Sequence, residues 1–331
     1  MNAPRTVSSP LSAAIANYLA LKQALGRRFA VERRVLADLE RFLTARDSAY
    51  TTLSSEAFAS WCLTLTHLCP TTRRNRMRIV RNLCLYLRRT DPDCFVPDPA
   101  TFPAPQPPQR PYLFSEEDIV RLLQVANEIP PRSTSPLRGA GLRLAVVLLY
   151  TAGLRRGELV RLALSDYNPV EQTLLVRASK FHKSRLVAIS ADAAREMRAY
   201  LVLRRRLPHD ADAPLLVSAF RGLRARSGTG LGHSLRQLFQ RAGLRTASGR
   251  APRVHDLRHT HALRVLLRWY HAGANVQAKL PALATSMGHV SVVSTAYYLA
   301  LLDPVAEAAS ERFARHCASL LIELPSGEDE R

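Results

Sequence analysis

The segment 97–111 constrains the architecture more than any other part of this chain of 331 residues, because it holds seven prolines in 15 residues. Proline lacks a backbone N–H and fixes φ, so such a segment cannot continue a helix or cross the interior of a sheet. We therefore predict an extended linker over 97–111. It separates an N-terminal domain, 1–96, from a larger domain, 112–323, which a polar tail follows at 324–331.

Both domains are predicted to be mainly helical, because apolar residues recur at every third or fourth position. In the N-terminal domain the predicted helices span 11–26, 30–44, 55–68 and 71–89. In the larger domain they span 116–128, 137–152, 155–164, 191–203, 231–242, 254–271 and 304–322. Two short β-branched runs, 174–178 and 185–189, flank a polar tip and predict a β-hairpin. The predicted fold class is mainly α with a small β-hairpin, an α+β arrangement.

The charge of the chain indicates a polyanionic partner. There are 47 basic and 27 acidic residues, a formal net charge of +20, and 47% hydrophobic residues exclude a disordered basic tail. The predicted helix 71–89 contains arginines without a single acid, and they predict phosphate contacts to DNA unless the helix is simply a solvated surface. The candidate DNA-binding residues are Arg73, Arg74, Arg76, Arg78 and Arg81, together with Arg236 further on.

Cysteine usage and apolar runs exclude several classes of protein. The five cysteines include no C-x-x-C pair, which argues against a disulfide framework and against a zinc ribbon. The longest apolar run, 144–154, is far shorter than a membrane span of about 20 residues. We expect a reduced, cytoplasmic protein with no membrane association.

The tip of the predicted hairpin holds two of only four lysines in the chain, Lys180 and Lys183. Arginine stays protonated near neutral pH, whereas a lysine near other cations can donate its proton. A lysine here is therefore either a general acid or an ordinary surface residue.

The string H-D-L-R-H-T-H-A begins at His255. On a helix His255 and Arg258 share an edge, and such a pair suits anion binding with proton transfer. His255 and His259 are also spaced for a shared metal ion, but the glutamate of H-E-x-x-H is absent and Arg258 repels a cation. No metal site is predicted.

Arg155 follows the most apolar predicted helix, which Gly153 can end. An arginine so near the core needs an anion, and Glu158 at i+3 is its natural structural partner. A buried ion pair and a phosphate site remain equally open at this point. Further on, Gly288 and His289 are followed by a tyrosine pair at 297–298.

Taken together, these residues resemble the tyrosine recombinase (phage integrase) family. The resemblance rests on G-L-R-R-G-E-L from Gly153, a hairpin lysine, H-x-x-R from His255, and G-H from Gly288 with a tyrosine nine residues after the histidine. It covers the whole C-terminal domain, and the N-terminal domain resembles the helical, SAM-like core-binding domain of that family. The implied catalytic residues are Arg155, Lys180, His255, Arg258, His289 and Tyr298.

Two departures leave alternatives open. The family hairpin usually has G-K-G, whereas Ser179 and Phe181 flank Lys180 here, so Lys183 is an alternative acid. The tyrosine is doubled, so Tyr297 is an alternative nucleophile, although the spacing favours Tyr298.

The resemblance implies site-specific DNA recombination without a cofactor. Tyr298 would attack a phosphate to give a 3′-phosphotyrosine, while Arg155 and Arg258 clamp its non-bridging oxygens. Lys180 would protonate the leaving 5′-oxygen, His255 would handle the tyrosine proton, and His289 would hydrogen-bond the phosphate.

The resemblance also implies partners. A two-domain, C-shaped clamp would close on double-stranded DNA, and a homotetramer on two DNA sites would be the working form, with the helix 304–322 docked on a neighbouring protomer or on its own core. A second recombinase or a DNA-bending protein is a further candidate partner. The expected location is the nucleoid of a bacterium, and the resemblance extends to recombinases of transposon-type elements. The alternatives are a topoisomerase IB-like nicking and resealing enzyme and a DNA-binding protein that does not cut. Integration, excision, transposition and dimer resolution all remain open.

Overall fold

A computed structural model describes residues 10–26, 29–46, 52–106, 109–177, 184–210, 212–218, 223–289, 295, 298 and 310–311. The chain divides into two compact units, residues 1–109 and residues 110–331. The fold is mainly helical with small antiparallel sheets, as predicted. No helix among the described residues is both long enough and apolar enough to cross a bilayer.

The described part of unit 1 contains four α-helices, close to those predicted. They are α1 (Pro10–Ala24), α2 (Ala30–Arg46), α3 (Ser55–Thr64) and α4 (Pro70–Leu87). Their apolar faces pack into one core around Leu36, Trp61 and Val80, each at most 1% exposed. Ser54 caps α3 by accepting a hydrogen bond from the backbone N–H of Ala57, and Pro70 begins α4, where its missing N–H costs nothing.

The first half of the proline-rich segment packs on α4 and is not a free extended linker. It forms one turn of 3-10 helix at Pro99–Thr101, and the next residue, Phe102, is buried in the core of unit 1. Arg74 and Arg81 of α4 donate to the carbonyl oxygens of Pro103 and Pro97 at 2.9 and 3.0 Å. Because proline has no backbone N–H, this segment cannot pair its carbonyl oxygens within regular secondary structure. The guanidinium groups of α4 donate hydrogen bonds to these oxygens instead.

Unit 2 begins with three helices, α5 (Glu116–Asn127), α6 (Arg138–Thr151) and the short α7 (Arg156–Leu159). Three antiparallel strands follow in the order β1-β2-β3, namely β1 (Tyr167–Asn168), β2 (Thr173–Val176) and β3 (Arg185–Ala188). The remaining elements are α8 (Ala191–Arg204), the pair β4 (Val217–Ser218) and β5 (Arg224–Ala225), α9 (Gly228–Arg241), α10 (Val254–His271) and α11 (Val276–Met287).

Helix α6 is the centre of unit 2. Most of its side chains are buried, as expected of a helix that is apolar on all sides. Helices α5, α8, α9 and α10 pack around it. Ser115 and Asp118 form a reciprocal capping box at the start of α5.

Two features of unit 2 differ from the predictions. The predicted helix 155–164 ends at Leu159, because Leu162 and Leu164 instead hydrogen-bond with the backbone of Leu215 and Ala213. Helix α11 was not predicted; it contains Pro281 in its interior, a residue that normally interrupts helices, and Asn275 caps its start.

Several predictions lie outside the described residues. These are the hairpin tip with Lys180 and Lys183, the first tyrosine of the pair, Tyr297, all of the predicted helix 304–322 except 310–311, and the tail 324–331.

Candidate active site

The buried carboxylate of Glu158 brings two arginines together. Arg155, which precedes α7, donates to Oε1 of Glu158 from Nη1 at 2.8 Å, and its backbone N–H donates to Oε2 at 2.9 Å. Arg185 of β3 donates to the same two oxygens at 3.1 and 3.0 Å. Such paired guanidinium–carboxylate bonds fix geometry as well as charge.

The environment of Glu158 keeps it ionised. Burial acts to raise the pKa of this carboxyl group, but hydrogen bonds from Arg185 and Arg155 outweigh burial and lower the pKa to about 2. The predicted partnership of Arg155 and Glu158 is thus confirmed, and Arg185 joins it as a residue that the sequence analysis missed.

Gly288 allows the two guanidinium groups to come close to the end of α11. It has φ of +66°, and a Cβ there would lie 2.7 Å from Nη1 of Arg185 and 3.2 Å from Nη1 of Arg155. Arg155 also donates to the carbonyl of Gly288 at 2.7 Å, and Arg185 to that of Ser286 at 2.7 Å. The glycine of the G-H motif is therefore needed for both its backbone conformation and its small size.

Arg258 of α10 is buried, with 1% of its surface exposed, and joins the ends of two helices. It donates to the carbonyl of Gly153, just after α6, and to that of Met287, the last residue of α11, the latter at 2.5 Å. Carbonyls at helix C-termini carry partial negative charge and so favour a cation. Burial, followed by the nearby Arg155, lowers the pKa of Arg258 to about 10, so it remains charged at neutral pH.

The ring of His261 packs against Gly153, whose carbonyl accepts the hydrogen bond from Arg258. Gly153 has φ of +60°, and a Cβ there would lie 2.4 Å from Cδ2 of the His261 ring. Burial, followed by the charge of Arg258, lowers the pKa of His261 to about 4. A neutral ring thus packs beneath the carbonyl that Arg258 holds.

The N-terminus of α10 positions His255. Arg253 donates to Asp256 from its backbone N–H at 2.8 Å and from its side chain at 2.9 and 3.0 Å, and Asp256 is 1% exposed. Asp256 therefore has a structural role at the start of this helix. Part of the His255 side chain is exposed, yet surrounding protein atoms desolvate the ring and, together with His259 and Arg258, lower its pKa to about 4.

His289 follows α11 directly and lies within the field of the arginine cluster. Its Nδ1 is 2.7 Å from Oγ1 of Thr295. Desolvation lowers the pKa of His289 to about 4, and the charges of Arg258, Arg155 and other cations add to this shift. The ring is neutral at neutral pH.

Tyr298 is buried, with 3% of its surface exposed, and packs with residues of α10 and α11. Its ring lies nearly parallel to that of His289, with 15° between the planes and 6.5 Å between the centroids. Its hydroxyl oxygen lies 3.0 Å from Nδ1 of His259. Sequence analysis had considered His259 only as a metal ligand.

The structure brings together five of the six predicted catalytic residues, Arg155, His255, Arg258, His289 and Tyr298, and Lys180 lies outside the described residues. In this cluster the guanidinium groups of Arg155 and Arg185 bind the carboxylate of Glu158, and the guanidinium group of Arg258 lies within its electrostatic field. The net positive charge suits an anionic substrate with several oxygen atoms.

A second cationic feature lies beside this cluster. A cleft of about 370 Å³ is lined by Arg156, Arg236, Arg253 and His255. Arg156 lies against Gly232 of α9, where a side chain would collide with its guanidinium group. Arg236, which is predicted to bind DNA, lines this cleft, and His255 belongs both to the cleft and to the arginine cluster.

Comparison with known proteins gives a consistent result. Residues 113–304 match the phage integrase family. A putative integrase/recombinase of Sinorhizobium fredii (strain NBRC 101917 / NGR234), y4rB, is 34% identical, over 91% of this chain and 96% of its own length. Tyrosine recombinase XerD of Rhizobium meliloti (strain 1021) is 29% identical, over 82% of this chain and 83% of its own.

Solved structures share the fold at low sequence identity. The Tn1549 transposon integrase in complex with transposon right end DNA superposes with a TM-score of 0.63, at 17% identity, over 91% of this chain and 98% of that one. The XerH site-specific recombinase bound to palindromic difH substrate, in a post-cleavage complex, superposes with a TM-score of 0.60, at 18% identity, over 86% of this chain and 78% of that one.

Proposed function

This chain belongs to the phage integrase family of tyrosine recombinases, which cut and rejoin DNA at specific sites through a covalent tyrosine intermediate, and we propose that Tyr298 is its nucleophile. The observation that carries this assignment is the position of the Tyr298 ring. Its hydroxyl is hydrogen-bonded to His259, and its ring stacks on His289, the histidine in the field of Arg155 and Arg258. A nucleophile and a cationic phosphate site therefore lie in one cluster.

Arg155 and Arg258 form the proposed phosphate clamp. Both are held from behind, Arg155 by Glu158 and Arg258 by two helix ends. A guanidinium group that is already oriented stabilises the charge of the transition state without reorganising as the charge develops. His289, whose ring is neutral, completes the clamp by donating a hydrogen bond to a non-bridging oxygen.

Proton transfer is assigned to two groups, a lysine of the hairpin tip and His255. Lys180 protonates the 5′-oxygen as it leaves, and Lys183 is the alternative. His255 lies at the rim of the cluster, and the family resemblance assigns to it the handling of the nucleophile's proton. Assistance of this kind contributes roughly 10²–10⁴-fold to the rate for each group.

Double-stranded DNA is the proposed partner, and a homotetramer on two DNA sites is the proposed working form. Two observations support DNA: the net charge of +20, and the fold shared with recombinases that were solved with DNA. The helix predicted at 304–322 would join neighbouring protomers. The N-terminal unit would contribute phosphate contacts as a core-binding domain, with Arg78 on the exposed side of α4.

The test of the nucleophile is a covalent adduct on a denaturing gel. Wild type, Tyr298→Phe and Tyr297→Phe are each mixed with nicked suicide duplexes cut from the DNA that flanks the gene. We expect an adduct with wild type and with Tyr297→Phe, and none with Tyr298→Phe, which still shifts DNA on a native gel. An adduct with Tyr298→Phe would assign the chemistry to another residue. DNA binding without any wild-type adduct would favour a protein that binds without cutting.

The role of Lys180 has its own test. A substrate with a bridging sulfur at the leaving 5′ position needs little protonation, because a thiolate leaves readily. Lys180→Ala should lose cleavage of ordinary DNA and regain it on this substrate, whereas Lys183→Ala should cleave both. If the sulfur substrate does not restore cleavage, Lys180 is not the acid.

A further inference from the structure

The hydroxyl of Tyr298 meets a histidine that lies outside the H-x-x-R pair. Nδ1 of His259 lies 3.0 Å from Oη of Tyr298, a normal hydrogen-bond distance. The two rings are 5.5 Å apart between centroids and inclined at 61°. His259 follows His255 by one helical turn of α10, so both side chains lie on the same edge of that helix.

The ring of His259 is suited to accept a proton. Burial, followed by the charges of Arg253 and Arg258, lowers its pKa, although Asp256 acts in the opposite direction. The ring is therefore neutral near pH 7. When Nε2 carries the ring proton, Nδ1 has a lone pair directed at the tyrosine hydroxyl.

His255 has a different position. Its ring meets the ring of His259 edge to face, with 4.7 Å between centroids and 87° between planes. It therefore contacts the ring that holds the tyrosine, and it also lines the cleft with Arg236 and Arg253. His255 is placed to orient His259 and to face DNA.

We propose that His259 is a further catalytic residue, which accepts the proton of Tyr298 during strand cleavage and returns it during rejoining. This inference rests on the proposed function, in which Tyr298 is the nucleophile. The proton passes from Oη to Nδ1 as Oη forms a bond to phosphorus and the bond from phosphorus to the 5′-oxygen breaks. The leaving oxygen takes its proton from Lys180, and rejoining reverses each transfer, so no oxidant or cofactor is consumed.

The experiment combines a variant of the base with a more acidic nucleophile. His259→Asn places an amide oxygen near the position of Nδ1 and so keeps a hydrogen-bond acceptor without a base. With ordinary tyrosine, we expect adduct formation to slow by roughly 10²–10⁴-fold. Replacing Tyr298 by 3,5-difluorotyrosine, whose phenol ionises more readily, should restore most of the rate lost in His259→Asn. The same replacement in the protein with His259 intact should change the rate of adduct formation little.

Two matched controls separate proton transfer from structure. His261→Asn alters a second half-buried histidine of α10, one that packs against Gly153, and any loss it causes should not be rescued by the fluorinated nucleophile. His255→Asn should also show no rescue. Folding of each variant is checked by the fluorescence of Trp269 and by circular dichroism, and His259→Gln replaces His259→Asn if the latter does not fold.

Three results would overturn the inference. They are an unchanged adduct rate in His259→Asn, a loss that difluorotyrosine does not restore, and a rescue that accompanies His255→Asn instead. Failure of the proposed function is separate, because it would appear as an adduct with Tyr298→Phe. If Tyr298→Phe forms no adduct while His259→Asn cleaves normally, only the role of His259 is wrong.

Discussion

Two regions of this molecule are rich in arginine, and they use it in different ways. On α4 three of the arginines bind separate groups of their own unit: Arg74 and Arg81 donate to proline carbonyls, and Arg76 lies 3.7 Å from Asp38. Around Glu158, by contrast, guanidinium groups from two separate parts of the chain, those of Arg155 and Arg185, converge on one carboxylate. Arginine content alone therefore does not identify a phosphate site.

The two regions differ in how firmly the protein holds the guanidinium groups in position. Arg185 and Arg258 are almost fully buried and are held by groups far away in the chain, so their positions are set by the fold. Arg78 on α4 is exposed and has the rotamer freedom of a surface side chain. We expect the first region to determine chemistry and the second to determine capture of DNA, and four predictions test this division.

The largest expected effect follows Glu158→Gln. Removing the shared charge leaves Arg155 and Arg185 side by side without compensation, so unit 2 should lose about 3 kcal/mol of unfolding free energy. The measurement is urea unfolding followed by Trp269 fluorescence in a Trp61→Phe background. Glu116→Gln, which breaks the exposed pair with Arg264, is the control and should cost less than about 1 kcal/mol. Equal losses would show that burial of Glu158 adds nothing to the effect of its ion pairs on stability.

Acid should weaken unit 2 in two stages. The pKa values of His255, His261 and His289 are about 4 in the folded chain, against an ordinary value of 6.5. Between pH 6.5 and pH 4 the unfolded chain therefore binds more protons than the folded one. The free energy of unfolding decreases as the pH is lowered through this range. Glu158 has a pKa of about 2 instead of 4.5, so its stabilisation is complete above pH 4.5 and disappears towards pH 2.

For Glu158 this shift corresponds to about 3 kcal/mol, lost over the lower stage. Urea titrations at a series of pH values, with Trp269 as reporter in Trp61→Phe, measure the effect. A stability that stays constant from pH 6.5 to 4 would show that the histidines are not buried as neutral groups. Trp269→Phe, which leaves Trp61 in unit 1, provides the comparison with the other region.

Gly288→Ala should affect chemistry more than stability. A Cβ at this position collides with Nη1 of Arg185 and crowds Arg155, and the displacement should slow adduct formation by about tenfold to hundredfold. Gly243→Ala is the matched control, because its φ of +72° imposes the same strain with nothing within 4 Å of the added Cβ. Both variants should lose about 1–2 kcal/mol of stability. If both slow the reaction equally, contact with the arginines is not the cause.

The smallest effect concerns α4. Arg78→Ala should lower the slope of log Kobs against log salt by about 1, as for the loss of one phosphate contact, measured by fluorescence anisotropy on a DNA duplex. Arg81→Ala removes a hydrogen bond to Pro97 and should lower the stability of unit 1 without changing that slope. The opposite pattern would show that the partly buried arginines of α4 also reach DNA.

Local contacts could be predicted from the sequence, and distant ones could not. The Ser115 cap, the start of α10 and the pair of Arg155 with Glu158 all join residues within one helical turn. Arg185 contacts Glu158 from 27 positions away and Ser286 from 101 positions away. On a short strand, such an arginine has the pattern of an ordinary surface residue.

His259 illustrates a different limit. Its position, one turn after His255, was visible in the sequence, but the spacing of two histidines suggested only a metal pair. The contact with Tyr298 spans 39 positions. Helix α11 lies between the two residues in the sequence, and it was not predicted because Pro281 interrupts its pattern. The extended string H-D-L-R-H, rather than H-x-x-R alone, was the available signal.

The attachment of Arg258 and Arg185 to carbonyls at 286–287 has a consequence for protein synthesis. A chain is made from its N-terminus, and its domains fold in that order. A nascent chain that ends before α11 already carries the basic helices of unit 1, but it lacks the carbonyl groups that hold the two arginines. On the ribosome, the cationic cluster can therefore assemble only after the end of α11 has emerged, and a product that ends earlier lacks the carbonyl groups that hold Arg185 and Arg258 in place.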